Sequence, residues 1–190
     1  MMRHFRTSLL VLLASTVVLG GVYPLLVTGI GALFFPAKAS GSLVRSAGAV
    51  KGSELIGQDF TGPRYFHPRP SAVGYDASSS GASNQGWTSR DLKDAYDKRK
   101  ADWEKANGTT EIPMEMMYAS GSGLDPDISP EAAELQVPRV AAARGLDASR
   151  EAALMALVKS MEKGLQLGFL GEPRVNVLEL NMAVDGELAK

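Results

Sequence analysis

His4 and His67 are the only imidazoles in the 190-residue chain, and the chain has no cysteine. Imidazole and thiolate are the groups that most often move protons, attack carbonyls or bind transition metals near neutral pH. Zero cysteine excludes disulfides, thiol catalysis and Cys-based metal sites. His4 stands beside a long apolar run and His67 lies in a Pro-rich segment. Neither fits a Ser-His-Asp arrangement or a zinc-ligand spacing. Ser160 to Lys163 reads S-x-x-K, the spacing of acylating serine enzymes, but no K-T-G follows. Ser83-Asn84 is an equally incidental match. There is no Walker loop and no D-K-T-G phosphorylation motif. No residue is therefore assigned to catalysis or to a metal. What remains is a basic-aromatic cluster of Arg64, Tyr65, Phe66, His67 and Arg69. It suits an anion or an acidic partner, or else it is a loop pinned to its domain by its rings.

The element that positions everything else is the stretch from Thr7 to Ala37, which contains no charged side chain. As a helix its roughly 30 residues would span about 45 Å, against about 30 Å of bilayer hydrocarbon. A cleaved signal has an apolar region of only about 7 to 15 residues. The reading is a short tail (1–7), a retained transmembrane helix (8–36) and a soluble domain (37–190). On a 100° wheel Ala14, Gly21, Thr28 and Ala32 share an arc, and Gly20, Pro24 and Gly31 form a second arc beside it. Small residues let a partner helix approach closely. Pro24 removes one backbone bond and is expected to kink the helix near Gly20-Gly21.

After the span the formal charge is −3, because removing Arg3 and Arg6 from 20 basic residues leaves 18 against 21 acidic. That argues against nucleic acid or anionic lipid as the main ligand. Lys and Arg flank both ends of the span, so the positive-inside rule does not fix orientation.

The soluble part reads as α+β. Glycine-punctuated apolar pairs predict two short strands between Ser40 and Phe60, and Thr61 to Gln85 reads as irregular. A charged surface helix is expected from Thr88 to Ala106, with Thr88 and Asp91 as its capping pair and Asn107-Gly108 as its stop. Ile112 to Ala119 alternates weakly, as a strand would. Ser129-Pro130-Glu131 opens a helix that Pro138 should bend or split at Gln136-Val137 before Gly145 ends it. A second helix runs from the Asp147 cap to Lys163, with Leu154, Leu157, Val158 and Met161 on its apolar face. The two helices make an ordinary hairpin, since the second begins without the basic residues of a DNA reader. From Arg174 to Asp185 strand alternation competes with helical spacing of Val177, Leu178, Asn181 and Met182.

Seven blocks in order carry a family likeness: G-G-V-Y-P-L-L (20–26), L-I-G-Q-x-F (55–60), Y-F-H-P-R-P-S-A (65–72), S-G-A-S-N (80–84), A-S-G-S-G-L-D-P-D-I-S-P (119–130), Q-V-P-R-V-A (136–141) and G-E-P-R-V-N-V-L-E-L-N (171–181). Together they resemble the C subunit of the Kdp potassium-transporting ATPase. The resemblance implies an accessory subunit of a bacterial inner-membrane potassium uptake complex. Its partners would be a channel-like potassium-binding subunit and a P-type ATPase subunit, and the complex rather than this chain would perform catalysis. It implies a soluble domain on the periplasmic or extracellular side, and docking of the small-residue faces on the channel-like subunit. It also implies a catalytic chaperone that raises the ATP affinity of the ATPase subunit, with no tightly bound cofactor of its own. In Q-V-P-R-V, Gln136 is the position linked to nucleotide contact, and Arg139 would meet a phosphate. The competing reading is that Gln136 satisfies a carbonyl freed at the helix kink. A domain outside the cytoplasm cannot touch cytoplasmic ATP, so topology takes precedence over that contact. The alternative from another class is a freestanding membrane-anchored binding protein or enzyme of the cell envelope.

Overall fold

The computed structural model describes residues 2–46 and 48–187 and divides the chain into two compact units that meet at Lys51 and Gly52. The first unit is dominated by one continuous helical span, Met2–Phe34, long and apolar enough to cross a membrane. It consists of α1 (Met2–Val17), a π turn (Val18–Val22) and α2 (Tyr23–Phe34). The π turn falls where Pro24 was expected to act. In a regular helix the proline ring would strike the carbonyl of Gly20 and leave it without a donor. Here the turn widens instead, and the Tyr23 N–H reaches back five residues to the Val18 carbonyl.

This turn corrects the helical wheel. The two arcs assumed an unbroken 100° step, and a π turn inserts one extra residue. Ala14, on α1, is therefore rotated by about one residue step relative to everything beyond the turn. Pro24, Thr28, Gly31 and Ala32 all lie on α2 and share a face at three- and four-residue spacing. Gly20 and Gly21 sit inside the π turn, and a Cβ on either would meet nothing else in this chain.

A short helix, α3 (Pro36–Ala39), follows, and then β1 (Leu43–Ser46) and β2 (Ala49–Ser53), which pair as the two short strands expected. The second unit has the mixed helix and small-sheet content of the α+β reading. Residues 54–89 hold no helix or strand. Next, α4 (Arg90–Asn107) ends at Gly108 in a left-handed conformation, as predicted. Its cap is Ser89 rather than Thr88, with Ser89 Oγ accepting from the Leu92 N–H at 3.4 Å. Lys93–Asp97 and Lys98–Asp102 pair along its exposed face, while Trp103 is buried.

The strand expected at 112–119 is absent. Pro113 precedes a single 3-10 turn (Met114–Met116), and Arg99 Nη1 donates to the Met117 carbonyl at 2.9 Å. That carbonyl and the turn's own bonds use the groups a ladder would need. β3 (Asp127–Ile128) then leads to α5 (Pro130–Glu134), α6 (Val137–Arg144) and α7 (Ala148–Ser160). Ser129 and Asp147 cap α5 and α7 as predicted, and Gly145 closes α6 in a left-handed turn. The expected bend at Pro138 is a complete split between α5 and α6. α7 stops three residues short of Lys163 because the Lys163 N–H and C=O are engaged by Arg174, at 2.8 and 3.0 Å. β4 (Val175–Asn176) pairs antiparallel with β3, setting Asp127 opposite Asn176 and Ile128 opposite Val175. The ambiguous last stretch resolves as α8 (Val177–Glu187), with Asn176 Oδ1 accepting from the Glu179 N–H at its start.

α7 packs on α5 and α6 through Leu154 and Val158, both fully buried. Leu157 and Met161 join them partly buried. The core continues through Ala132, Ala133, Val137 and Val140, then Leu180 and Val184 on α8, with Phe66 from the irregular segment. Gly57 shows how closely that segment runs: a Cβ there would lie 2.5 Å from the Asp125 carbonyl oxygen, a separation that real contacts do not reach.

Candidate functional site

Gln136 and Arg139 sit at the split between α5 and α6. The Gln136 N–H bonds the Ala133 carbonyl, three residues back, at 3.1 Å. This tighter turn leaves the Ala132 carbonyl without its usual helical donor. Gln136 supplies one from its own side chain, Nε2 to Ala132 O at 3.1 Å. The rest of the amide clasps His67. Oε1 accepts from the His67 N–H at 2.7 Å, and Nε2 donates to the His67 carbonyl at 3.3 Å. Oε1 also accepts from Arg139 Nη2 at 2.7 Å. The side chain is fully buried. Its two donor and two acceptor positions are all filled from within the chain.

Asn181 on α8 does the same for the preceding residue. Its Oδ1 accepts from the Phe66 N–H at 2.7 Å, and its Nδ2 donates to the Phe66 carbonyl at 2.9 Å. Two carboxamides, from opposite sides, thus hold two consecutive residues of Y-F-H-P-R-P.

The arginines of α6 hold the carbonyls upstream. Arg139 Nη1 donates to Pro63 O at 2.7 Å and to Tyr65 O at 3.0 Å, while Nε donates to Asn107 Oδ1 at 2.9 Å. Arg144 Nε donates to Arg64 O at 2.8 Å. Arg144 Nη2 pairs with Asp185 at 2.7 Å, and its guanidinium lies 5.4 Å from the centre of the Tyr65 ring. With Gly62 O bonded by His67, six carbonyls in a row, residues 62–67, are each engaged by a side chain. Downstream, Tyr75 Oη donates to Arg69 O at 2.8 Å, and burial pushes that hydroxyl up to about 12. Arg69 pairs with Asp125 at 2.7 Å.

The electrostatics are one-sided. Arg139 is nearly buried, and among the described residues no carboxylate lies within ion-pair distance of it. Burial lowers it to about 10, so it stays charged at neutral pH, solvated by carbonyl dipoles. His67 Nε2 lies 3.0 Å from Gly62 O and 3.4 Å from Arg139 Nη1; the carbonyl can only accept, and this shorter contact assigns the proton to Nε2. Burial first, and then the Arg139 charge, hold His67 below its ordinary value of 6.5. It is neutral at pH 7.

The sequence-predicted residues therefore fall into two groups. Gln136 and Arg139 come together, on one face of a clamp. Ala14, Gly20, Gly21, Pro24, Thr28, Gly31 and Ala32 lie in the other unit, on the membrane-length helix. The basic-aromatic cluster is a pinned loop, as one of its two readings had it, but the pins are polar side chains from α6 and α8 as much as the buried Phe66 ring. Ser160 and Lys163 have separate partners, Leu157 O at 2.8 Å and Glu179 at 2.6 Å. Asn181, Arg144 and Asn107 were missed. The available signal for Asn181 was its place on an otherwise apolar helical face with Val177 and Leu178.

The arrangement is that of a membrane-anchored protein with one α+β unit, whose buried polar groups serve one another across a clamped loop. The family model described as the K+-transporting ATPase, c chain, matches residues 5–186, and the chain belongs to that family, KdpC. Among its relatives, the potassium-transporting ATPase KdpC subunit of Koribacter versatilis is 49% identical over 98% of this chain and 96% of that protein. The subunit of the same name from Bradyrhizobium diazoefficiens is 47% identical over the full length of both. The Kineococcus radiotolerans subunit is 52% identical over 97% of this chain and 94% of its own.

Two outcomes are expected. Gln136→Leu keeps the volume but strands the His67 N–H and C=O, the Ala132 carbonyl and one Arg139 N–H. Urea unfolding of the intact chain in mild detergent should show a loss of about 2–4 kcal/mol, and a change below about 1 kcal/mol would remove the clamp from the account. The second concerns pH. Between its depressed folded value and 6.5, His67 binds more protons in the unfolded chain than in the folded one. Stability therefore rises with pH across that window and is lost as pH falls through it. The melting temperature should drop from about pH 7.5 to about 5.5, and the drop should shrink in His67→Gln, whose amide can still donate to Gly62 O. An unchanged drop in that variant would assign the effect to other groups.

Proposed function

We propose that this chain is the accessory subunit that docks, through its membrane helix, onto the channel-like subunit of a potassium-transporting ATPase and stabilises the assembled complex. The observation that carries this reading is the helix itself. Its π turn places Gly20 and Gly21 where a partner can approach the backbone, and a Cβ added at either would find open space within 4 Å. The α2 face of Pro24, Thr28, Gly31 and Ala32 extends that small-residue surface. In lipid, helices associate through such close approach rather than through hydrophobicity. The soluble unit lies outside the cytoplasm in this reading, at the membrane of a bacterial cell.

The effect on ATP affinity attributed to such subunits is then exerted through the ATPase subunit, without direct contact. The engagement of Gln136 supports this. A nucleotide reaching Gln136 or Arg139 would have to break bonds that hold residues 62–67 and enter a fully buried site. In this reading ATP is held by the ATPase subunit, and Gln136 and Arg139 serve the clamp.

Gly21→Leu should weaken retention of the subunit on the affinity-purified complex by about tenfold, the scale of one lost close helix contact. Undiminished co-purification would count against helix docking. Reporter fusions after Lys190 that work only outside or only inside the cell decide the orientation. Activity of the outside reporter excludes direct ATP contact, and activity of the inside reporter reverses the placement and reopens the Gln136 contact.

A further inference from the structure

Between α7 and β4 the chain leaves the body of the second unit as a narrow arm, residues 163–174. Its base is closed by a reciprocal pair of bonds between Lys163 and Arg174, and its tip by a second pair between Gln166 and Leu170 at 2.8 and 2.9 Å. The reversal is made by Leu167 and Gly168, both in the left-handed region. At the base, Lys163 Nζ pairs with Glu179 of α8 at 2.6 Å and Arg174 Nε with Asp127 of β3 at 3.1 Å. The arm is thus fixed to two elements of the core.

Its tip, from Gly164 to Gly171, carries no charge but presents four large apolar side chains. Leu165, Leu167, Phe169 and Leu170 are 43, 84, 72 and 47% exposed. Leu167 and Phe169 rank among the most exposed apolar residues outside the membrane helix. A rigid, uncharged apolar projection of this size marks an interaction surface.

Charge and area identify the occupant. Lys163 and Arg174 are already paired, and the residue beside the tip is the acidic Glu172, so the arm offers no free cation to phosphate headgroups. At roughly 200 Å² per large apolar side chain, the tip exposes on the order of 500 Å². An independent interface takes about 800 Å² per partner. The tip is too small to hold a partner unaided, but sufficient where a second attachment already holds it nearby. The membrane helix is such an attachment.

We propose that the arm is a second docking element, its apolar tip seated in an uncharged apolar groove on another subunit of the same transport complex. This rests on the reading of the chain as an accessory subunit, and the test separates the two. Benzoylphenylalanine is placed at Phe169, or at exposed Asp94 on α4 as the comparison, in the full chain expressed with the whole complex. Co-purification of the subunit is scored first, and its failure would defeat the accessory-subunit reading itself. Given co-purification, irradiation of membranes should yield a protein adduct with another subunit from position 169, about tenfold above that from position 94. A lipid adduct from position 169 would assign the arm to the bilayer instead and overturn the proposal. So would an adduct only with a second copy of this chain, or no adduct above the level at position 94. As the second readout, Leu167→Gln with Phe169→Gln should leave the melting temperature unchanged while raising loss of the subunit on detergent dilution about tenfold. Unchanged retention in that variant would equally overturn the proposal.

Discussion

An extended chain turns successive peptide groups to opposite sides, so a strand running between two elements needs a hydrogen-bonding partner on both. Phe66 and His67 occupy such a place, between the α5–α6 split and α8, but no strand flanks them. The partners are single side chains. A carboxamide carries a carbonyl and an N–H group side by side, like a peptide bond, and can exchange both bonds with one residue. Asn181 does this for Phe66 and Gln136 for His67. The spacing of α8 from α6 is set by this pair of clasps, because moving either helix leaves buried peptide groups unpaired, a penalty of about 1–3 kcal/mol each.

Only arginine suits the other half of the clamp. The carbonyls of Pro63, Arg64 and Tyr65 point toward α6 at different heights, and a guanidinium offers five donors in a fixed plane. Arg139 reaches two of these carbonyls, the Asn107 side chain and Gln136 with one group, tying α4 and the loop to the helix split. A lysine ammonium has three donors at a single point and could not span them. The positive charge has a consequence for its neighbour. With Arg139 close by and water excluded, His67 is held neutral, and the neutral ring keeps the Nε2–H that bonds Gly62 O.

Much of this fold was legible in the sequence because its signals are local. Ser129, Asp147, Gly108 and Gly145 act within one helical turn, and each marks the boundary predicted for it. Pro138 and Pro24 also act locally, though the form of the response differed: a split in one case, a π turn in the other. The clamp was not legible for the opposite reason. Gln136 and His67 are 69 positions apart and Phe66 and Asn181 are 115 apart, and no periodicity connects them. The strand expected after Ile112 failed for the same cause, since Arg99 takes a carbonyl that local alternation had assigned to a ladder. The Gln136 reading shows the limit most clearly. An amide beside a helix break fits both a ligand contact and a self-bond, and its bonds to a loop 69 residues away leave no local signal in the sequence.

The two units use their side chains in contrasting ways. In the second unit, amides, guanidinium groups and hydroxyls are turned inward onto peptide groups, and the clamped loop leaves little hydrogen-bonding capacity at Gln136 for an outside molecule. What the chain presents outward is apolar and preformed: a membrane-length helix with an open glycine turn, and an arm braced by ion pairs at its base. Rigid surfaces bind with less loss of conformational freedom than mobile ones. The polar clamp and the apolar surfaces are thus linked physically. α8 supplies the Asn181 clasp and, only two residues earlier at Glu179, the partner of the Lys163 brace, so the bonds that fix the loop also fix the base from which the arm projects.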